Sequence, residues 1–476
     1  MVRPTLVTCL LLAVASHARA QSTDAHTEPP AARTGNRGTS GFLLTSTVEA
    51  ARREFERGLA HYYAFDRVRA GEAFAAAERL DPACAMCAWG VALALGPSPG
   101  VPRDPAREDA AHRAAVRAAD RAAGASMREQ GLIGALATRY APPGASRPRP
   151  ALDTTYANAM GEVADRFADD PDVLVLHADA LMRLSSGDYR DDHGAPRAGT
   201  RPIVRRLEAA LDRAPRHAGA HQLALRLGLY AEVARALSKR GARTPDEASL
   251  LVFAASMAGA SATAIEAARR LGKAAIDDGP AAAAVYTTLV TFGRWNDLLA
   301  EPLPAPDRPW AMAVAYYARG AAFAARGRWA EAGAALDTVD AAGAAFPDGP
   351  AGATLRVAAH ALRGEIALRR NRPSVAVREW RAAAELTGDA RVPAVARWYY
   401  PFQHSLGKAW LAAGRPEEAE RAYRDDLARF PENGWSLFGL AQGLEGRGQS
   451  AAAAAVRERF ARAWRDADVA LSASRF

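Results

Sequence analysis

From about residue 46 onward, small and large apolar side chains recur three or four positions apart, the spacing of one helix face. No segment alternates apolar and polar residues at strand spacing. The helical pattern also repeats on a longer scale. With a register set at Ala51, Gly58 falls where a first helix approaches its neighbour closely. Ala70, Phe74 and Ala77 then give a small, large, small series on a second helix, and Pro82 ends the unit. The next unit begins 34 residues on, at Ala85, with Trp89, Ala92 and Leu95 facing inward. The same order returns from Ala313 (Gly320, Phe323, the turn Gly327-Arg328-Trp329, Ala332, Leu336) and from Val357 (Gly364, Ala376, Trp380, Ala383). It returns again from Tyr400 (Gly407, Gly414, Ala419, Tyr423, Pro431) and from Gly434 (Leu437, Leu440, Leu444, Ala453).

A unit of about 34 residues with these features is the signature of a tetratricopeptide hairpin, whose two helices hide their apolar sides only by stacking on the next pair. The predicted fold class is therefore all-α, an α-solenoid of stacked tetratricopeptide-like hairpins. The middle is looser, with helical patterns at 105–123, 125–140, 152–169, 172–185, 202–213, 217–238, 246–277 and 281–300. Loops are expected at 96–104, 141–151 and 187–201. The run Pro302-Leu303-Pro304-Ala305-Pro306 cannot continue a helix. It divides the prediction into an N-terminal array at 46–301, with long loops, and a C-terminal array at 310–476. The arginine-bearing last helix (Arg457, Arg459, Arg462, Arg465) reads as a cap.

Residues 1–20 have the layout of a cleaved signal peptide: Arg3, an apolar run from Leu6 to Ala15, and Ala18-Arg19-Ala20 as the small-x-small site. Residues 21–45, rich in Ser, Thr, Pro, Gly and Asn, read as a disordered lead-in. The mature chain is expected outside the cytoplasm, in the periplasm or beyond, with no transmembrane segment. The formal charge is +8, of which Arg3 and Arg19 belong to the leader, leaving +6. Arginines alternate with acids, as in Arg52-Arg53-Glu54-Phe55-Glu56-Arg57, which suits a solvated helix face and argues against nucleic acid as a partner.

Candidate chemistry is sparse. Cys84 and Cys87 follow Asp81-Pro82 at the start of a helix, where exposed amides favour a thiolate. Three readings stay open for them: small packing residues, a local disulfide in an oxidising compartment, or redox or copper chemistry aided by Met86. Ala88, where covalent haem attachment needs histidine, excludes that group. His217 and His221 stand four apart, so a helix would put both on one side to chelate zinc or copper. A third ligand is wanting, with His177 or His193 as candidates by type alone. Asp188, Asp191, Asp192 and His193 form an acidic loop without calcium-loop spacing, more readily explained as solvated. The tryptophans from Trp295 onward read mainly as packing between hairpins. No nucleophile elbow, phosphate loop or carboxylate pair is present, so no cofactor is expected beyond that metal candidate, and a conventional enzyme is disfavoured.

The segments Phe55-Glu56-Arg57-Gly58-Leu59, Asp81-Pro82-Ala83-Cys84-Ala85-Met86-Cys87-Ala88-Trp89-Gly90, Glu432-Asn433-Gly434-Trp435-Ser436-Leu437 and Ser474-Arg475-Phe476 resemble a family of exported bacterial tetratricopeptide-repeat proteins without an assigned biochemical function. The resemblance implies a histidine-rich centre. Only its beginning stands here, as Pro215-Arg216-His217-Ala218-Gly219-Ala220-His221, and residues 244–261 hold no histidine, so that centre is expected to be altered. The leading functional expectation is a non-enzymatic scaffold that takes a protein or peptide partner in a groove lined by first helices. Tyr62, Tyr316, Tyr317, Tyr400 and His404 are the candidate groove residues. The competing expectation is a metal or thiol-redox protein using the cysteines or histidines.

Overall fold

The structure is a computed structural model, and it describes residues 42–97, 104–142, 144–145, 147–185, 189–191, 196–346, 349–387 and 401–476. Most of the described residues are helical. In pairs along the chain they are α1 (Glu49–Tyr63) and α2 (Arg67–Leu80), α3 (Ala85–Leu95) and α4 (Pro105–Asp120), and α5 (Met127–Ala137) and α6 (Arg149–Arg166). Next come α7 (Pro171–Met182) and α8 (Thr200–Arg213), α9 (Ala218–Arg226) and α10 (Tyr230–Arg240), α11 (Pro245–Met257) and α12 (Ser261–Ala274), and α13 (Pro280–Thr291) and α14 (Trp295–Ala300). The rest are α15 (Pro309–Ala325) and α16 (Trp329–Ala345), α17 (Gly349–Arg369) and α18 (Pro373–Thr387), α19 (Gln403–Ala412) and α20 (Pro416–Arg429), and α21 (Gly434–Gly446) and α22 (Ser450–Ala463). Each helix packs on the next, and first helices also touch across a hairpin, as α15 does α17 and α19 does α21. This is an α-solenoid of tetratricopeptide-like hairpins. An isolated bridge between Arg190 and Pro196 is the sole β-pairing among the described residues.

Local sequence explains the helix starts. Asp66, Asp104, Asp170 and Asn433 accept backbone N–H bonds as N-caps. Ser126 with Glu129, and Thr244 with Glu247, form reciprocal capping boxes. Proline opens α4, α7, α11, α13, α15 and α20, where its missing N–H costs nothing.

The close contacts obey a rule visible in the numbering. The Phe74 ring is held between Gly58 and Gly90, and a Cβ on Gly58 would lie 2.5 Å from the ring. Tyr423 is held in the same way between Gly407 and Gly439, and Gly364 meets Trp380. One aromatic on a second helix thus fills the space left by glycines on the first helices before and after it. Large rings there need small neighbours at native packing density.

Two predicted long helices are in fact pairs. The pattern at 217–238 breaks at Gly228 (φ +76) and that at 246–277 at Gly259 (φ +75). Both glycines take a left-handed turn that L side chains avoid, and both lie against the distant C-terminal region, Gly228 on Pro431 and Gly259 on Trp464. The lead-in also needs correction. From Phe42 onward it is packed: Phe42 lies 5.2 Å from Phe55 and 6.5 Å from Trp89, and Thr45 bonds Glu129. The signal peptide and the rest of the lead-in lie outside the described residues.

The proline run at 302–306 interrupts the helices, yet α13 on one side packs on α15 on the other. The C-terminal hairpins moreover return onto the middle of the chain. Trp435 Nε1 donates to the Ser256 carbonyl of α11 (2.9 Å), and Phe430 meets Phe253 at 6.0 Å. The Asp468 carboxylate accepts the N–H groups of Ser261 and Ala262 at 2.7 and 2.9 Å. Helix α12 has no side-chain cap of its own. A residue about two hundred positions away supplies it. No described helix is long and apolar enough to cross a membrane.

Candidate functional site

The sulfurs of Cys84 and Cys87 are bonded to each other. Cys84 is the N-cap of α3, its sulfur accepting the Cys87 N–H at 3.0 Å, and both residues are buried. In this state neither sulfur is a thiolate for copper. Around them the Asp81–Gly90 motif is architectural: Asp81 accepts from Ser46 and from the Ala83 N–H, Trp89 Nε1 donates to the Leu132 carbonyl (3.1 Å), and Gly90 seats Phe74.

The histidine chelate does not form, because His217 precedes its helix. As N-cap of α9 it accepts the Ala220 N–H on Nδ1 (3.2 Å), which leaves the proton on Nε2 to be donated to Asp172 at 3.0 Å. His221 turns to a different partner, donating from Nε2 to the Pro215 carbonyl (2.8 Å). Burial lowers the His221 pKa to about 4, and does the same to His177, which packs against Gly161. Among the described residues no three metal-type side chains gather. Asp188, Asp192, His193 and Tyr400 lie outside the described residues.

The aromatic residues assigned to a groove are largely internal. Tyr62 is 2% exposed; its hydroxyl donates to Asp179 (2.7 Å) and accepts from Arg183 (2.9 Å), with the Arg67 guanidinium over its ring at 3.7 Å. His404 is 1% exposed, and its Nε2 bonds Asp426 at 2.9 Å. The same Asp426 carboxylate also accepts from Asn433 (2.9 Å) and Ser436 (2.6 Å). Neither side chain can reach a partner, since each already satisfies a buried carboxylate. Tyr316 is half-buried and Tyr317 buried.

What fills the inner side of the C-terminal hairpins is the segment after α22. The Tyr423 hydroxyl donates to Ser474 Oγ (2.6 Å), which donates in turn to the His404 carbonyl (3.0 Å). Arg475 is 5% exposed. The Phe476 ring lies on Gly293 of the α13–α14 turn and 5.9 Å from Trp435. Trp435 is itself packed by Trp464 at 5.3 Å and Phe292 at 5.8 Å. Beside Arg475 and Phe476 a cavity with room for about one water is lined by Tyr317, Ala361, Trp380 and Ser405. Residues 474–476 therefore lie where α13, α15, α17, α19 and α21 converge. Periodicity could not reveal this, because nothing in a three-residue segment states which helices it will meet.

No family model matches the chain, and no curated protein does. The solved structures to which the chain is similar include two that overlap most of its length. The tetratricopeptide domain of P58(IPK) is 13% identical, with 84% of this chain and 99% of that one covered at a TM-score of 0.21. Yeast Tom70 is 13% identical, with 87% and 85% covered at a TM-score of 0.28. Likeness at that level carries no argument.

Proposed function

We propose that this protein is a non-enzymatic scaffold that binds an extended peptide of a partner protein along the first helices α13, α15, α17 and α19. One observation supports the reading: the chain's own Ser474-Arg475-Phe476 already lies there, with its hydroxyl and guanidinium buried and its ring half-buried among those helices. A surface that accepts one extended segment by side-chain burial and a few polar bonds is the physical form of a peptide groove. In this reading export to the periplasm or cell exterior accompanies the function. The bonded Cys84 and Cys87 and the leader-like residues 1–20 support it, because disulfides persist in oxidising compartments.

The test uses a fluorescent peptide of the sequence Leu471–Phe476 and a chain lacking residues 472–476. The shortened chain, helical by circular dichroism, should bind the peptide saturably. The full chain should bind it at least tenfold more weakly, and a peptide with Phe476→Ala should bind neither. Absence of binding to a folded shortened chain overturns the reading. If shortening unfolds the chain, the full-length Phe476→Ala form replaces it, with the same outcomes.

A further inference from the structure

A different region carries a chemistry that peptide docking does not use. Four arginines meet inside the first four hairpins: Arg67 of α2, Arg139 just after α5, Arg149 of α6 and Arg183 at the end of α7. The Arg139 side chain is 1% exposed and that of Arg183 3%. Arg139 and Arg149 share the single carboxylate Asp153, at 3.1 and 2.9 Å. Arg183 bonds Asp179 at 2.7 Å, and the Arg67 guanidinium lies over the Tyr62 ring at 3.7 Å. Arg139 and Arg183 both donate to the Pro97 carbonyl, at 2.7 and 3.1 Å, and the Arg139 guanidinium stands 5.5 Å from the Tyr156 ring. Among the described residues, four positive groups thus face two carboxylates, Asp153 and Asp179. Asp172, near Tyr63, is bonded to His217, and Asp170 to Arg128.

Donors are also left over. Arg67 Nη1, Arg139 Nη1, Arg149 Nη1, Arg183 Nε and the Tyr156 hydroxyl are buried without a hydrogen-bond partner among the described residues. A buried charge without a counter-charge is destabilising, because it gives up its hydration and gains nothing in return. Lysine or histidine would relieve it by losing a proton, but a guanidinium holds its proton in proteins. Burial lowers the pKa of Arg67, with Arg183 and Arg139 pressing the same way and Tyr62 and Asp179 opposing them.

We infer that this cluster binds a small oxyanion carrying two negative charges, which supplies the missing counter-charge and accepts the leftover donors. Planar guanidiniums suit phosphate and carboxylate oxygens alike, and Arg67 is half-buried where Arg139 and Arg183 are enclosed. The test is calorimetric titration of the full chain with sodium phosphate at pH 8, where phosphate is a dianion, with sulfate and malonate as parallel probes and chloride matching the ionic strength. Saturable one-to-one binding of phosphate or sulfate supports the inference and assigns the site to phosphate-type anions. Binding of malonate alone supports it and assigns the site to dicarboxylates. Arg67→Met, which breaks no ion pair, should weaken the binding at least tenfold. Tyr156→Phe, which removes one hydroxyl, should weaken it severalfold and serves if Arg67→Met does not fold. No saturable binding of any probe, or unchanged affinity in both variants, overturns the inference. Neither outcome bears on the peptide groove, which involves other helices.

Discussion

A few residues that look like ligands in the sequence are working as structural joints. His221 is the clearest. Its ring is buried and neutral, with a pKa lowered by burial to about 4 against about 6.5 in an unfolded chain. Between those values the unfolded chain takes up a proton that the folded one refuses, so the contribution is complete above pH 6.5 and is lost as pH falls toward 4. The loss amounts to about 3 kcal/mol. Urea midpoints at pH 7 and pH 4.5 should therefore differ more in the natural chain than in His221→Gln; equal differences would exclude His221 as the cause. His217 shows why spacing misled. Four positions suffice to align two side chains only when both residues are helical, and His217 caps the helix instead. Nothing in Pro215-Arg216-His217 distinguishes a cap from the first turn.

At the scale of the helix the sequence was most readable where the repeat is strict. Gly58, Phe74, Gly364, Trp380, Gly407 and Tyr423 were all placed at close-contact positions by phase alone, and each glycine does meet its aromatic. The breaks at Gly228 and Gly259 are not legible locally, because an isolated glycine in a helical pattern is tolerated and only the neighbour it must clear turns it into a bend. That neighbour comes from the C-terminal region, out of reach of a local pattern. The start of α12 has the same origin. Asp468→Ala removes its cap and should lower stability by about 1 kcal/mol, read as a reduced urea midpoint with unchanged slope. Burial pushes the Asp468 carboxyl up, but the N–H groups of Ala262 and Ser261 hold it below its ordinary value. This stabilisation is thus present at neutral pH and fades as the carboxylate is protonated. An Asp468→Ala chain as stable as the natural one at pH 7 would show that α12 does not depend on it.

On the scale of the whole molecule the decisive contacts join distant hairpins. A linear array of repeats holds together through nearest neighbours alone, and its parts can open separately. Here Trp435 ties α21 to α11, Asp468 ties the tail to α12, and Phe476 reaches the α13–α14 turn. Trp435→Ala removes the indole at the centre of that junction and should cost about 3–5 kcal/mol. It should also split a single calorimetric transition into two. A shifted but still single transition would mean that the hairpins are coupled through their immediate neighbours instead. Candidate-site residues are poorly legible at this scale, because Tyr62 and His404 look the same in sequence whether they face an open groove or, as here, the buried carboxylates Asp179 and Asp426 of neighbouring helices.

The return of the C-terminal hairpins also has a kinetic side. Trp435 and Ser256 are 179 residues apart in the chain, and Asp468 and Ser261 are 207 apart. Each hairpin can form early from its own short-range contacts, but the junction must wait until a long stretch of polypeptide has been brought round on itself. Chains dominated by such separations collapse locally first and complete their tertiary structure late. Until that last docking, the indole of Trp435 and the ring of Phe253 face water, which makes the half-assembled chain the form most exposed to aggregation.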